Sequence, residues 1–168
     1  MTVDSFKYLP RLIAAVYEMM EIRVEHLIPW TPLPRSIREC KFGLVTSGGL
    51  HSKGDSPFDL LREKQEPTWG DPTFRRIPTD ITQLDIRVSH LHVNPVFAET
   101  DFNILLPVHR FRELVEQGYI GGLADFAYSF MGYQGYPADT GAWRENYCIQ
   151  VADFLRAEQV DCVLLTPS

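Results

Sequence analysis

Cysteine is scarce in this chain. Its 168 residues hold three, Cys40, Cys148 and Cys162, far apart and with no C-x-x-C pair. An odd, widely spaced set argues against a disulfide framework and against a zinc knuckle. Each reads as a small buried hydrophobe, and a reducing cytoplasm is the expected compartment. Runs of Lys or Arg are missing too, and the net charge is −6. That balance argues against nucleic acid and against an anionic membrane surface as partner. No stretch approaches the ~18 consecutive apolar residues that would read as a membrane span. The short run Leu12 to Val16 meets Glu18 and Glu21 at once rather than a small-residue cleavage site, so it does not read as a signal peptide.

What is present is a globular composition. Hydrophobic residues make up 45% and charged ones 23%, enough for one domain's core. The reading is a single α/β domain over 1–168. Leu9, Leu12, Ile13, Val16 and Met20 recur at helical spacing, and Pro10 suits a first turn. Pro29 to Pro34 reads as an extended connector. Lys41 to Ser47 reads as a strand, and His51 to Pro78 as one long loop. Strands are expected at Asp85 to Val93 and Asp101 to Leu106. A short helix opens at Pro107, buries Phe111, Leu114 and Val115, and ends at Gly118. Trp143, Tyr147, Val151, Phe154 and Leu155 mark another helix. The run Val160 to Leu165 after it reads as an interior strand of a parallel sheet. The fold class is therefore α/β, a mostly parallel, Rossmann-like sheet with helices on both faces.

Four constellations could carry chemistry. Thr46-Ser47-Gly48-Gly49-Leu50-His51 follows a strand but lacks the G-x-G-x-x-G spacing. It reads as a backbone-lined pocket wall with His51 nearby, or as a tight turn without function. His90-x-His92 puts two imidazoles on one face of a strand. They could line a pocket, hold a metal with Asp101 or His51, or be hydrogen-bonded residues at a strand end. Arg75, in Gly70 to Pro78, could fork a substrate carboxylate or pair with Asp71 to pin its loop. Tyr128, Ser129 and Met131 belong to an aromatic stretch that floors a pocket or packs as core.

Several blocks occur in a particular order: Val45 to His51, Gly70 to Pro78, His90-Leu91-His92, Arg112 to Gly121, Tyr128 to Gly132, and Val160 to Pro167. Together they resemble the selenoprotein B family of glycine, sarcosine, betaine and D-proline reductases, and within it the short D-proline-reductase-like members. The resemblance implies a subunit of a selenocysteine- or thiol-dependent reductase. Such an enzyme cleaves a C–N bond of a small amino-acid-like substrate reductively, with a dithiol/disulfide couple. In the family the Thr-Pro block leads into selenocysteine (or cysteine) followed by Pro-x-Cys, which would begin directly after Ser168. A low-pKa selenol there would sit at a helix N-terminus, where the dipole favours an anion.

On this reading no catalytic residue and no cofactor lies within the chain, which is the N-terminal part of a longer subunit, incomplete at its C-terminus and inactive alone. Ser47, Gly48, Gly49, His51, Arg75, His90, His92, Tyr128, Ser129, Met131 and Thr166 are the expected substrate-binding residues, and no metal is expected. The partners are a small-molecule substrate and a partner reductase subunit or thiol electron donor, and the chain self-associates. Ala127 stands where relatives often carry His, so no base is assigned there. Two other readings stay open: a non-catalytic subunit that binds a small molecule or partner, and a metal-binding protein using His51, His90 and His92.

The resemblance carries a genomic expectation. The codon after Ser168 in the source gene is UGA, and the same frame continues with Pro-x-Cys and a helix-forming segment. Sequencing that locus checks it; another stop codon or an immediate frame break would refute it.

Overall fold

In a computed structural model of the chain, the described residues are Ala15, 31–91 and 94–168. The helix expected over Leu9 to Met20, the start of the Pro29 to Pro34 connector, and His92 lie outside them. The chain divides into two units, Met1–Pro32 and Leu33–Ser168. The second is built around a five-stranded sheet.

Strand β1, Lys41–Thr46, organises this unit. Its Phe42, Val45 and Thr46 are strand-favouring types, and Leu44 adds an apolar side chain for the core. On one edge it pairs in parallel with β7, Cys162–Thr166, from Phe42 to Thr46. On the other it pairs in parallel with β5, Gly122–Leu123, and then with β6, Phe126–Phe130. Strand β3, Phe74–Pro78, closes the far side antiparallel to β6. The result is a mixed but mostly parallel sheet with β7 at one edge and β3 at the other. A separate antiparallel pair, β2 (Leu50–Ser52) with β4 (Ile86–Val88), folds over one end.

Helices cover both faces. Leu44, Ile77, Ala127 and partly buried Leu164 look toward Ala98, Phe102, Leu106 and Val108. Those residues come from helix α2 (Pro95–Thr100), the 3-10 turn Phe102–Ile104, the join after it and helix α3 (Val108–Glu116). The opposite face, with Val45, Phe74, Tyr128 and Phe130, packs under helix α4 (Cys148–Ala157) and the π-helical turn Trp143–Tyr147 that leads into it. The α/β class is thus observed, and so are the helices opening near Pro107 and at Trp143.

Four expectations need correction. The Asp101 to Leu106 stretch is not a strand. Asn94 and Pro95 start α2, the Asn94 side chain accepting from the Val96 amide, and Asp101 then caps the 3-10 turn by accepting from the Asn103 amide. Short Asn and Asp side chains outcompete strand pairing here. The Asp85 to Val93 strand contracts to Ile86–Val88 and joins the small sheet rather than the large one. The long loop holds helix α1, Leu60–Gln65, capped by Asp59, together with β2's last two residues and β3. Finally, β7 is not buried on both faces. Val163 and Leu165 are 45% and 67% exposed, so its apolar run belongs to an edge strand with one face covered.

Leu44 sits mid-strand in β1, 1% exposed, at the centre of the first core cluster. Leu44→Ala should cost about 2–5 kcal/mol through lost burial and the cavity left behind, measured as a lowered urea midpoint with unchanged slope.

Candidate functional site

The carboxyl ends of β1, β6 and β7 come together with the two-stranded sheet. Thr46, Ser129 and Thr166 stand side by side in register across the three strands. The Thr46 hydroxyl donates to the Thr166 carbonyl (3.1 Å), and the Ser47 amide donates to the same oxygen (3.2 Å). The Thr166 hydroxyl in turn donates to the Leu105 carbonyl, 2.7 Å away. This threonine ladder fixes the spacing of the strand ends.

The turn after β1 uses its own backbone donors. The Gly48 amide donates to the Thr46 hydroxyl, the Gly49 amide to the Phe130 carbonyl and the Leu50 amide to the Ser129 hydroxyl. With the Ser47 amide on Thr166, four consecutive N–H groups are satisfied within the protein. A phosphate cradle needs those donors free, so this segment is a wall and not an anion nest. Gly49 lies at φ +65°, and an added Cβ would stand 2.5 Å from the Ser89 carbonyl oxygen, so glycine is required twice over.

Ser47 and Ser168 face each other. The Ser168 amide donates to the Ser47 hydroxyl (2.8 Å), and that hydroxyl lies 3.4 Å from the Ser168 carbonyl. Gly132, just beyond β6, packs against this junction. A Cβ there would meet the Ser168 carbonyl at 2.7 Å, the Ser47 carbonyl at 3.1 Å and His90 Nε2 at 3.2 Å. One glycine therefore lets two strand-end loops and an imidazole converge on a single point. His90 itself is buried.

Other expected site residues are engaged differently. His51 is buried; its Nδ1 lies 3.0 Å from the Ser52 carbonyl and its Nε2 2.9 Å from the Ser89 hydroxyl. With Nδ1–H donating to the carbonyl, Nε2 accepts from Ser89 and the imidazole staples β2 to the end of β4. Arg75 donates to the Ser56 and Pro57 carbonyls, the Thr73 hydroxyl and the Phe74 carbonyl. It also lies 3.8 Å from Asp71 and stacks over Phe58. It is the loop pin of the two readings, not a fork open to a substrate carboxylate. Tyr128 points away from the strand ends into the α4 core, stacked on Phe154 at 6.1 Å, and burial raises its phenol's pKa. Met131 is buried and bridges Gly48, and Gln134 Nε2 donates to its carbonyl. Ser47, Gly48, Gly49, His90, Ser129 and Thr166 are thus brought together; Arg75 and Tyr128 are not among them.

Sequence reasoning named Thr46 and Asp71 but missed Leu105 and Gln134, which complete the locks on the loops. Thr46 and Leu105 complete the threonine ladder. Asp71, which accepts from the amides of Asp59 and Thr73, and Gln134 knit the loop before β3 to the segment after β6. Asp71-Pro72-Thr73 has the signature of an Asx turn, a second sequence signal for the pinning role expected of Asp71. Burial pushes the Cys148 thiol up, and burial with the neighbouring Cys40 thiol and Asp161 does the same for Cys162. Neither is an activated thiolate. Among the described residues no three His, Cys, Asp or Glu side chains gather to hold a metal ion, and no helix is long and apolar enough to cross a membrane.

A family model for glycine/sarcosine/betaine reductase selenoprotein B matches residues 14–168. The chain belongs to this family. It is 34% identical over 137 residues to the D-proline reductase subunit gamma of Acetoanaerobium sticklandii, covering 82% of this chain and 52% of that protein. It is 30% identical over 139 residues to the glycine reductase complex component B subunit gamma of Symbiobacterium thermophilum, covering 83% of this chain and 31% of that one. The namesake subunit of Carboxydothermus hydrogenoformans is 29% identical over 139 residues. The chain thus spans about half the length of the first of these selenoprotein B relatives and under a third of the other two. No solved structure matches it.

The partly buried Arg75 network makes a prediction. Arg75→Lys leaves one ammonium to serve several fixed acceptors and loses the planar stack on Phe58. It should lower stability by about 1–2 kcal/mol in chemical denaturation, while leaving the threonine ladder's amide protection unchanged in hydrogen exchange.

Proposed function

We propose that this chain is the N-terminal part of a reductase subunit whose redox residue follows Ser168 directly. That subunit cleaves a C–N bond of a small amino-acid-like substrate. The C–N bond breaks, a dithiol supplies two electrons and two protons, carbon and nitrogen each gain hydrogen, and the dithiol leaves as a disulfide. The observation that carries the reading is the hold on Ser168, whose amide donates to the Ser47 hydroxyl beside Gly132 and His90.

A residue attached there starts from a fixed main-chain position at the carboxyl end of a parallel strand, where α/β folds place their chemistry. Ser47, Gly132 and His90 would frame it, and the Gly48-Gly49 turn would wall the substrate. A selenol or thiol in that place supplies a nucleophile that can pass through a mixed bond to a dithiol. His90 is the imidazole of this cluster and would hold or give a proton beside it. The names of the relatives, all subunits of reductases, support the reaction class and a partner subunit or thiol donor.

Two forms test this: the 168-residue chain, and the same subunit translated past Ser168 with cysteine at the first added position. The longer form should show a dithiol-reducible, rapidly alkylated thiol and bind its partner subunit, while the 168-residue form lacks the fast thiol and self-associates. Equal thiol reactivity in the two forms would reject the proposal.

A further inference from the structure

The face of β7 that carries Val163 and Leu165 lies beside α4 and is left open. Leu165 is in register with Val45 of β1, and Val45 packs in the cluster beneath α4. Val163 is in register with Gly43, over which Leu155 of α4 sits, 2.6 Å from an added Cβ. Both side chains therefore stand on the α4 face of the sheet, one strand beyond the helix's footprint. The other face of β7 is covered, since Leu164 packs into the first core cluster.

Helix α4 continues the open surface. Its Phe154 reaches Tyr128 of β6 and Arg76 of β3, whereas Leu155 lies over β1. At about 100° per residue, rotating from Phe154 past Leu155 leads next to Cys148 and then Ala152, on the side toward β7, before exposed Arg156 ends the apolar flank. Cys148 is exposed. A short apolar step thus runs from the flank of α4 down onto the edge strand. Among the described residues nothing pairs with β7's outer edge, which leaves a row of backbone donors and acceptors open to a further strand.

Topology says what fits. The chain leaves β6, crosses over as α4 and returns in parallel as β7, having moved one way across β1. Crossovers between parallel strands are right-handed in about 98% of cases. A second crossover that continues in the same direction must therefore return over the same face as the first. That face is the one left open. We propose that the step of Val163, Leu165 and Cys148 seats an amphipathic helix of the same subunit's polypeptide after Ser168, followed by a strand parallel to β7 on its free edge. This rests on the reading that the chain is the N-terminal part of a longer subunit. The D-proline reductase relative is longer than the matched region, which covers 52% of it.

Hydrogen exchange and thiol alkylation test it, on the 168-residue chain and on the subunit translated past Ser168 with cysteine at the first added position. Leu165→Glu in the short form gives a monomeric reference should the parent associate. In the longer form the β7 amides should exchange, and Cys148 should alkylate, roughly tenfold or more slowly, and Leu165→Glu should lower its Tm by several degrees. Unchanged exchange and alkylation would overturn the proposal, as would protection that appears only on self-association or only when a partner subunit is added. Fast redox chemistry without β7 protection would sink this inference and spare the reductase reading. Protection without a reactive thiol would do the reverse.

Discussion

Strand β1 is hydrogen-bonded along both edges, and everything else in the unit takes its position from that. Its full length is claimed by β7 on one side and divided between β5 and β6 on the other. Parallel pairing then aligns the three carboxyl ends, and the Thr46–Ser129–Thr166 row is the direct consequence of register. Each hydroxyl in that row is bound to a neighbouring strand or turn. The site is therefore rigid in the part described, with its walls set by sheet geometry rather than by loop packing. A neutral hydrogen bond contributes only about 1 kcal/mol net, yet breaking one here would leave a buried partner unmet, which costs more than the bond supplied.

Rigidity explains the division of labour among the residues that attracted attention in the sequence. His51 and Arg75 belong to motifs that read as chemistry, yet both are consumed in holding loops. Arg75 satisfies four acceptors from one planar group, a task suited to guanidinium. His51 uses one nitrogen on a carbonyl and the other on Ser89. What their loops enclose is smaller and less conspicuous: two serines, a glycine and His90. A surface depression of about 430 Å³ lined by Pro57, Phe58, Asp59, Leu60 and Leu61 shares none of these residues.

The fold was legible where one principle dominated. The apolar run from Phe42 to Val45 and the helical periodicity after Trp143 gave element types directly, Gly43 being the one residue that argues against a strand. The Asp101 to Leu106 stretch failed because apolar Phe102, Ile104, Leu105 and Leu106 mimic a strand while Asp101 and Asn103 make local bonds that favour a turn. Periodicity counts side chains and is blind to that contest. The candidate site was legible in outline only. Ser47, Gly48, Gly49 and Thr166 could be placed at strand ends from sequence, whereas Ser129 could not, because β6 is not among the expected strands. Gly132's role could not, because it depends on how closely three non-neighbouring segments approach.

The last strand shows how composition can mislead about burial. Val163, Leu164 and Leu165 are all apolar, and such a run ordinarily marks a strand covered on both sides. Here alternation is present in the exposure and absent in the sequence: Leu164 packs inward while its neighbours stand open. A strand selected to face water on one side would carry polar residues there, since each exposed large aliphatic forgoes about 1.5–3 kcal/mol of burial and a bare apolar edge invites association. Val163 and Leu165 therefore form an exposed apolar strip on an edge strand whose other face is packed. In the proposal above, the right-handedness of the preceding crossover sets the side from which a cover for that strip comes.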